Sequence, residues 1–378
     1  MGIANSRIKG LDGLRALSMT LVFLGHKSML GHVLNLGVGL LLFFVLSGYL
    51  ITRILLGRRA EIERGAVAKE GELLRFFFSR GCRIFPAYYV MLAGATLLSL
   101  GGLKQIDLSW MPYYATYTTN VAIQFLSTTW PALGHLWSLA VEEQFYLISA
   151  PLFLLLPSRY AKTIAQMLVG LAIAVFVVKL SLHASVVSQI SDSFVNFGAL
   201  ACGSLLAMGR LPENGTRSTP IAIGMVGLVI CAAGALWLDP RLKDPLAMTL
   251  QRVAIPYAVL VVWGILANQE SAVTRAFESR HIVFLGKISY AFYLWHEVVD
   301  LAFLTPLVRS LGLGTNFEAI LLLAAEYLVC VVIAYLSWRA LEAPILRWRD
   351  RVIEGNAWRW RRGSNQAIDG RSGTLPAS

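Results

Sequence analysis

Three histidines, two adjacent glutamates and a few arginines stand where an apolar sequence has little use for them. His26, His135 and His296 lie in or at the end of hydrophobic runs, as do Glu142 and Glu143, while Arg15, Arg80 and Arg83 flank such runs. Ionisable groups in membrane-spanning segments are costly to desolvate, so each is a functional candidate. An imidazole titrates near neutrality and can take a proton from a hydroxyl. A carboxylate beside it can orient the ring or steady its positive charge, and guanidinium forks match phosphate oxygens. These residue types predict a proton-transfer centre inside the membrane and a phosphate-binding mouth at its edge.

Spacing sharpens the picture. In LDGLRALSMTLVFLGH, the interval from Arg15 to His26 returns to within about 20° of the same helix face, roughly 16 Å deeper. In HLWSLAVEEQFYL, His135 and Glu142 share a face, Glu142 about 10 Å below the outer boundary, while Glu143 is turned about 100° away. In KISYAFYLWHEVVD, His296 falls roughly 20 Å from the inner end of its helix. The three estimates predict that His26, Glu142 and His296 meet at similar depth, with His135 and His296 as candidate donors to a developing oxyanion. Ser47 and Gly48 in FFVLSGYLI allow close approach of a backbone or a ligand. Asp300 and Glu326 stay open between structural and path-lining roles.

The elements that must position these groups follow from composition. Of 378 residues, 56% are hydrophobic and only 15% charged, against roughly a quarter charged in soluble proteins. This excludes an ordinary soluble enzyme and predicts an all-α polytopic membrane bundle. Cys82, Cys202, Cys231 and Cys330 form no CxxC or zinc spacing, so they read as small buried hydrophobes and no metal is expected. The net charge of +11 sits between apolar runs, which points to topology rather than nucleic acid. Helix-length apolar runs occur near 14–32, 37–56, 83–101, 136–156, 163–181, 189–208, 220–238, 251–267, 283–304 and 317–341, each near the roughly 20 residues a span needs. Arg15 and His26 within the first run, and no small-residue cleavage site, predict that it is retained as a helix.

Placing both termini inside puts most Lys and Arg on the cytoplasmic side. Residues 57–82 then form a cytoplasmic loop expected to lie along the membrane as an amphipathic helix. Residues 102–135 form an external loop rich in Tyr, Trp and Thr, either an interfacial aromatic belt or a sugar-facing rim. Residues 1–344 form the membrane domain, and 345–378 a basic juxtamembrane tail that ends in disorder. There is no GxSxG, P-loop or HExxH signature. A phosphate-binding mouth joined to a buried imidazole and carboxylate suits acyl transfer from a phosphorylated thioester donor. A transporter or flippase for a lipid-linked or small polar substrate is the competing class.

Taken together, LDGLRALSMTLVFLGH, FFVLSGYLI, SRGCRIFP, HLWSLAVEEQFYL, ISYAFYLWH and LEAP, in this order, resemble the membrane-bound acyltransferase family 3, whose members O-acetylate exported glycans and some secondary metabolites. The resemblance implies that acetyl-CoA or another acyl-CoA enters from the cytoplasm, with Arg15, Arg80 and Arg83 at the family's basic positions. It implies His26 as the catalytic histidine and Glu142 in a WSLxxE motif. The acceptor is then an extracytoplasmic glycan or glycolipid, with a macrolide-like metabolite as the alternative, and the setting a bacterial inner membrane. The chain stops after the tenth run without an SGNH hydrolase-like domain, so transfer straight to the acceptor is expected.

Overall fold

An apolar stretch of twenty residues has one economical arrangement in lipid, the helix, because each backbone N–H and C=O must be paired within the segment. The computed structural model describes residues 8–26, 37–103, 105–126, 129–209, 218–234, 243–304, 307 and 316–355, and contains no strand among them. Ten long helices follow the ten apolar runs in order: α1 Leu11–His26, α2 Val38–Glu63, α3 Lys69–Leu100, α4 Trp137–Leu155, α5 Ala161–Ser181, α6 Ser193–Met208, α7 Thr219–Ala233, α8 Lys243–Ala267, α9 Arg280–Val299 and α10 Asn316–Ser337. The predicted run ends at 27–32 and 235–238, Arg210, Arg217 and the tail from 356 lie outside the described residues.

The expected count of about ten crossings is not confirmed. Among the described residues, six segments are long and apolar enough to cross a membrane: Val38–Glu63, Gly71–Leu100, Gly134–Leu155, Ser158–Ser181, Met248–Ala267 and Ile320–Gly355. Helices α6 and α7 are apolar but only 16 and 15 residues long, and α1 has 16. Helix α9 carries Arg280, Lys287, His296 and Glu297 within its 20 residues. The outer wall is nonetheless that of a membrane protein: Met167, Ile173 and Val178 on α5 and Leu328, Val332 and Leu336 on α10 are all more than half exposed. In water such a surface would associate; in lipid it is the solvated face.

At the centre, α2 packs against α1, α4, α6 and α8, while α9 packs against α1, α3 and α10. Small residues let these backbones meet. A Cβ on Gly48 would lie 1.9 Å from the Leu200 carbonyl oxygen, and one on Gly203 would lie 2.0 Å from that of Val45, so α2 and α6 touch through paired glycines. The space at Gly48, expected to admit a backbone or a ligand, is filled by the α6 backbone. Gly286 plays the same part between α9 and α1, where its Cβ would meet the Asp12 carbonyl oxygen at 2.0 Å. Without side chains at these points, helices gain dispersion contact that lipid cannot supply.

The 57–82 stretch is not a separate surface helix. It is the antiparallel end of α2 and the start of α3, turning at Gly65 with φ +71°. Its charges pair with one another: Arg58 with Glu61 at 2.9 Å and Glu72 at 3.5 Å, Arg75 with Glu72 at 3.3 Å, and Arg59 with Glu63 at 2.9 Å. Arg59 also donates to the Leu154 carbonyl at 2.8 Å, tying this hairpin to the end of α4. Beyond α10 a π-helical turn at Trp338–Glu342 leads into helical residues 343–355, where Trp348 packs on Phe78 of α3.

The glycine contact makes a direct test. Gly48→Ala must push α6 away, so thermal unfolding of the detergent-solubilised protein should fall by an amount equivalent to about 1–3 kcal/mol. Gly57→Ala, with nothing within 4 Å of its Cβ, should leave the transition unchanged or raise it slightly through helix propensity. Equal melting of the two variants would contradict the packing described.

Candidate active site

Three helix ends bring three imidazoles together. His26 closes α1, His135 lies in the short 3-10 turn Gly134–Leu136 that opens α4, and His296 is in the last turn of α9. Ring centroids are 5.1 Å apart for His26–His296, 4.9 Å for His135–His296 and 6.4 Å for His26–His135. His135 and His296 are 4% and 1% exposed, and His26 is the accessible member. Phe23 and Phe292 wall the cluster, the latter stacked on His296.

Backbone contacts fix the proton positions. His26 Nδ1 lies 2.7 Å from the Val22 carbonyl oxygen, and His296 Nδ1 lies 2.7 Å from that of Tyr293. A carbonyl can only accept, so in both rings Nδ1 carries the hydrogen, and in the neutral form Nε2 carries the lone pair. The ring of His135 is buried, with the Leu294 main-chain carbonyl within its reach. Tyr293 holds His135 from behind: its hydroxyl donates to the His135 main-chain oxygen at 2.5 Å and receives Ser138 Oγ at 2.7 Å.

The carboxylate at this cluster is Glu297, whose Oε1 stands 3.4 Å from His296 Nε2. Sequence spacing had assigned that place to Glu142. Glu142 instead faces Ser47 and Tyr146 and lies within electrostatic reach of Arg80 and Arg15. Helical phase explains the change: the face shared by His135 and Glu142 descends toward the arginines, while His26 and His296 meet His135 at its top. Glu297 passed unnoticed because it adjoins His296, and the doublet HE in KISYAFYLWHEVVD was its only signal. Donor atoms of His26, His296 and Glu297 lie within 4.8 Å of one another. Two ligands on one zinc, at about 2.0–2.2 Å each, cannot be more than about 4.4 Å apart, so this spacing alone does not define a metal centre.

A second cluster gathers the remaining predicted residues. Arg15, held by Asp12 at 3.0 Å, is within electrostatic reach of Arg83 and Tyr146. Arg80 is within reach of Arg15, Arg83, Tyr146 and Glu143. Glu143, turned away from its neighbour as the helix phase requires, faces Tyr117 of the loop between α3 and α4 and Tyr290 of α9. Glu342, the glutamate of LEAP, is 3% exposed and lies within reach of Arg83. Its motif was visible in the sequence, but its place beside Arg83 depends on the π-helical turn. Of the open residues, Glu326 is buried at 2% exposure in α10, and Asp300 starts the π-helical turn Asp300–Leu304. The two clusters adjoin at Tyr293, which is within electrostatic reach of both Glu142 and Glu297.

A lipid-walled helical bundle with arginines and carboxylates on one side of a buried tyrosine and imidazoles on the other is a polytopic membrane protein built around an internal chemical centre. The model of the acyltransferase domain, Acyl_transf_3, matches residues 8–339, and the chain belongs to that acyltransferase family. It is 27% identical over 362 residues to the peptidoglycan O-acetyltransferase OatA of Listeria monocytogenes, covering 89% of this chain and 56% of that protein. It is 25% identical over 364 residues to the O-acetyltransferase OatA of Staphylococcus aureus (strain NCTC 8325 / PS 47), covering 89% of this chain and 57% of that one. The chain thus spans little more than half the length of these relatives. No solved structure matches it.

Tyr293→Phe tests how His135 is held. It removes the donor to the His135 main chain and strands Ser138 Oγ, so stability should fall by about 1 kcal/mol or more, read as an earlier thermal transition in detergent. An unchanged transition would mean that these bonds do not anchor the turn.

Proposed function

We propose that this chain is a membrane O-acyltransferase, most simply an O-acetyltransferase. In this reading acyl-CoA enters on the arginine side and the acyl group passes to a hydroxyl of an extracytoplasmic glycan or glycolipid. The protein then sits in a bacterial cytoplasmic membrane with both termini inside. The observation that carries it is the imidazole cluster adjoining, across Tyr293, a cluster of arginines and carboxylates. The O-acetyltransferase relatives support the transferred group and the hydroxyl acceptor.

Arg15, Arg80 and Arg83 hold the donor phosphates in this mechanism. His26 Nε2, with its hydrogen fixed on Nδ1 by Val22, takes the proton from the acceptor hydroxyl as the oxygen attacks the thioester carbonyl. His135, whose ring lies beside those of His26 and His296, can donate a ring N–H to the developing oxyanion. Collapse expels the CoA thiolate, which receives a proton, and leaves the ester on the acceptor. His296 and Glu297, paired at 3.4 Å, hold the far side of the cluster and can offset positive charge formed on His26.

His26→Ala should lower acetyl transfer by about a hundredfold or more while CoA affinity changes little, measured by labelled product formation and calorimetry on purified protein. Full turnover would remove His26 as the base. Arg83→Ala should do the opposite in binding, weakening CoA by about tenfold. Mass spectrometry of surface polysaccharide and lipid fractions from cells with and without the protein identifies the acceptor, and identical ester content in the two would count against the whole reading.

A further inference from the structure

Four buried polar atoms near the arginines have no hydrogen-bond partner within the protein: Arg80 Nε, Glu142 Oε1, Glu342 Oε1 and Tyr117 Oη. Electrostatic reach joins them into one set. Arg80 reaches Glu142 and Glu143, Glu143 reaches Tyr117, Tyr290 reaches Tyr117, Glu143 and Glu342, and Glu342 reaches Arg83. Buried polar groups are normally satisfied, so several orphans in one place call for a polar guest.

Tyr117 is the unexpected member. It belongs to the external loop, between the short helices Met111–Ala115 and Thr119–Leu126, yet its ring stacks on Tyr88 of α3 at 4.4 Å and its main-chain oxygen accepts from Gln144 Nε2 of α4 at 3.0 Å. Its backbone is left-handed, φ +54°, a region that bulky side chains leave unless the surroundings hold them there. The loop thus places a tyrosine hydroxyl inside the bundle, beside Glu143, and gives it nothing to bond.

The orphan atoms specify the guest. Arg80 Nε–H and Tyr117 O–H donate, so the guest must offer acceptors; Glu142 and Glu342, as carboxylates, accept, so it must also offer donors. A flexible chain of secondary amides offers both, an N–H and a C=O at each link. We propose that this set binds the amide-bearing pantetheine arm of the donor, between its phosphates on the arginines and its thioester at the imidazoles, with Tyr117 as the ligand supplied by the external loop. This rests on the acyl-CoA reading above.

The test uses the full-length protein in detergent, with CoA and 3′-phosphoadenosine 5′-diphosphate as probes, the second carrying the phosphates without the arm. Tyr117→Phe keeps the ring and its stack but loses the hydroxyl. CoA binding should weaken by about tenfold while the armless nucleotide binds as it does to the wild type. Tyr88→Phe, whose hydroxyl already donates to the Tyr114 carbonyl at 2.8 Å, should leave both affinities within about twofold. Unchanged CoA binding by Tyr117→Phe, or equal weakening of both probes, overturns the assignment. Wild-type protein that binds neither probe overturns the donor reading itself and this proposal with it. Melting curves for each variant show that the fold is kept; a Tyr117→Phe protein that melts early and loses both probes equally counts as overturning.

Discussion

The cost of taking charge out of water governs this structure. A guanidinium or carboxylate inside a lipid-walled bundle is tolerated only where another group answers it. The protein arranges its buried ionisable residues accordingly. Arg59 is answered by Glu63 and the Leu154 carbonyl. Lys179 is answered by Asp192 at 2.7 Å and by Gln124 at 2.9 Å. Arg58, Arg75 and Glu72 answer one another where α2 turns into α3. Against that rule the arginine pocket stands out, because Arg15, Arg80 and Arg83 meet one another as well as acids. Like charges so placed store unfavourable energy.

Such a centre needs a frame that does not yield, and here the frame is made of absent side chains. The α2–α6 contact through Gly48 and Gly203 and the α1–α9 contact through Gly286 bring backbones closer than any Cβ permits. The second contact fixes the relative height of His26 and His296, which ride on α1 and α9. Their Nδ1 atoms are then tied to carbonyls of their own helices. Ring position is therefore set by helix packing, and the hydrogen's position by the helix itself. The two imidazoles are thus held in place without a dedicated polar scaffold.

The sequence made the helices legible because hydropathy acts locally, and all ten apolar runs met a helix. It made His26, His135 and His296 legible because a polar residue in an apolar run is conspicuous. What it did not reveal were relations between helices. Residue spacing yields height along one axis and angle about it, but not the direction from which a neighbour arrives. Spacing set Glu142 near the depth of His26, whereas the neighbours the structure gives it are Ser47, Tyr146, Arg80 and Arg15, and His26 has His296 beside it. The 57–82 stretch looked amphipathic because its charges alternate with apolar residues, yet those charges close a hairpin. Tyr117 was hidden in an aromatic-rich loop, and only the left-handed backbone and the stack on Tyr88 single it out.

The adjacent carboxylates show how one helix can serve two environments. A turn of about 100° per residue aims Glu142 at Ser47 and Tyr146 and Glu143 at Tyr117 and Tyr290, while Arg80 is within reach of both. The pair therefore straddles the boundary between core helices and external loop, so any guest reaching one carboxylate from the arginines also approaches the other. Because Gln144, the next residue, donates to the Tyr117 main chain, a shift of the loop is transmitted to α4 at the very turn that bears both acids. Three consecutive residues of α4, Glu142, Glu143 and Gln144, thus join the arginine cluster to the loop that carries Tyr117.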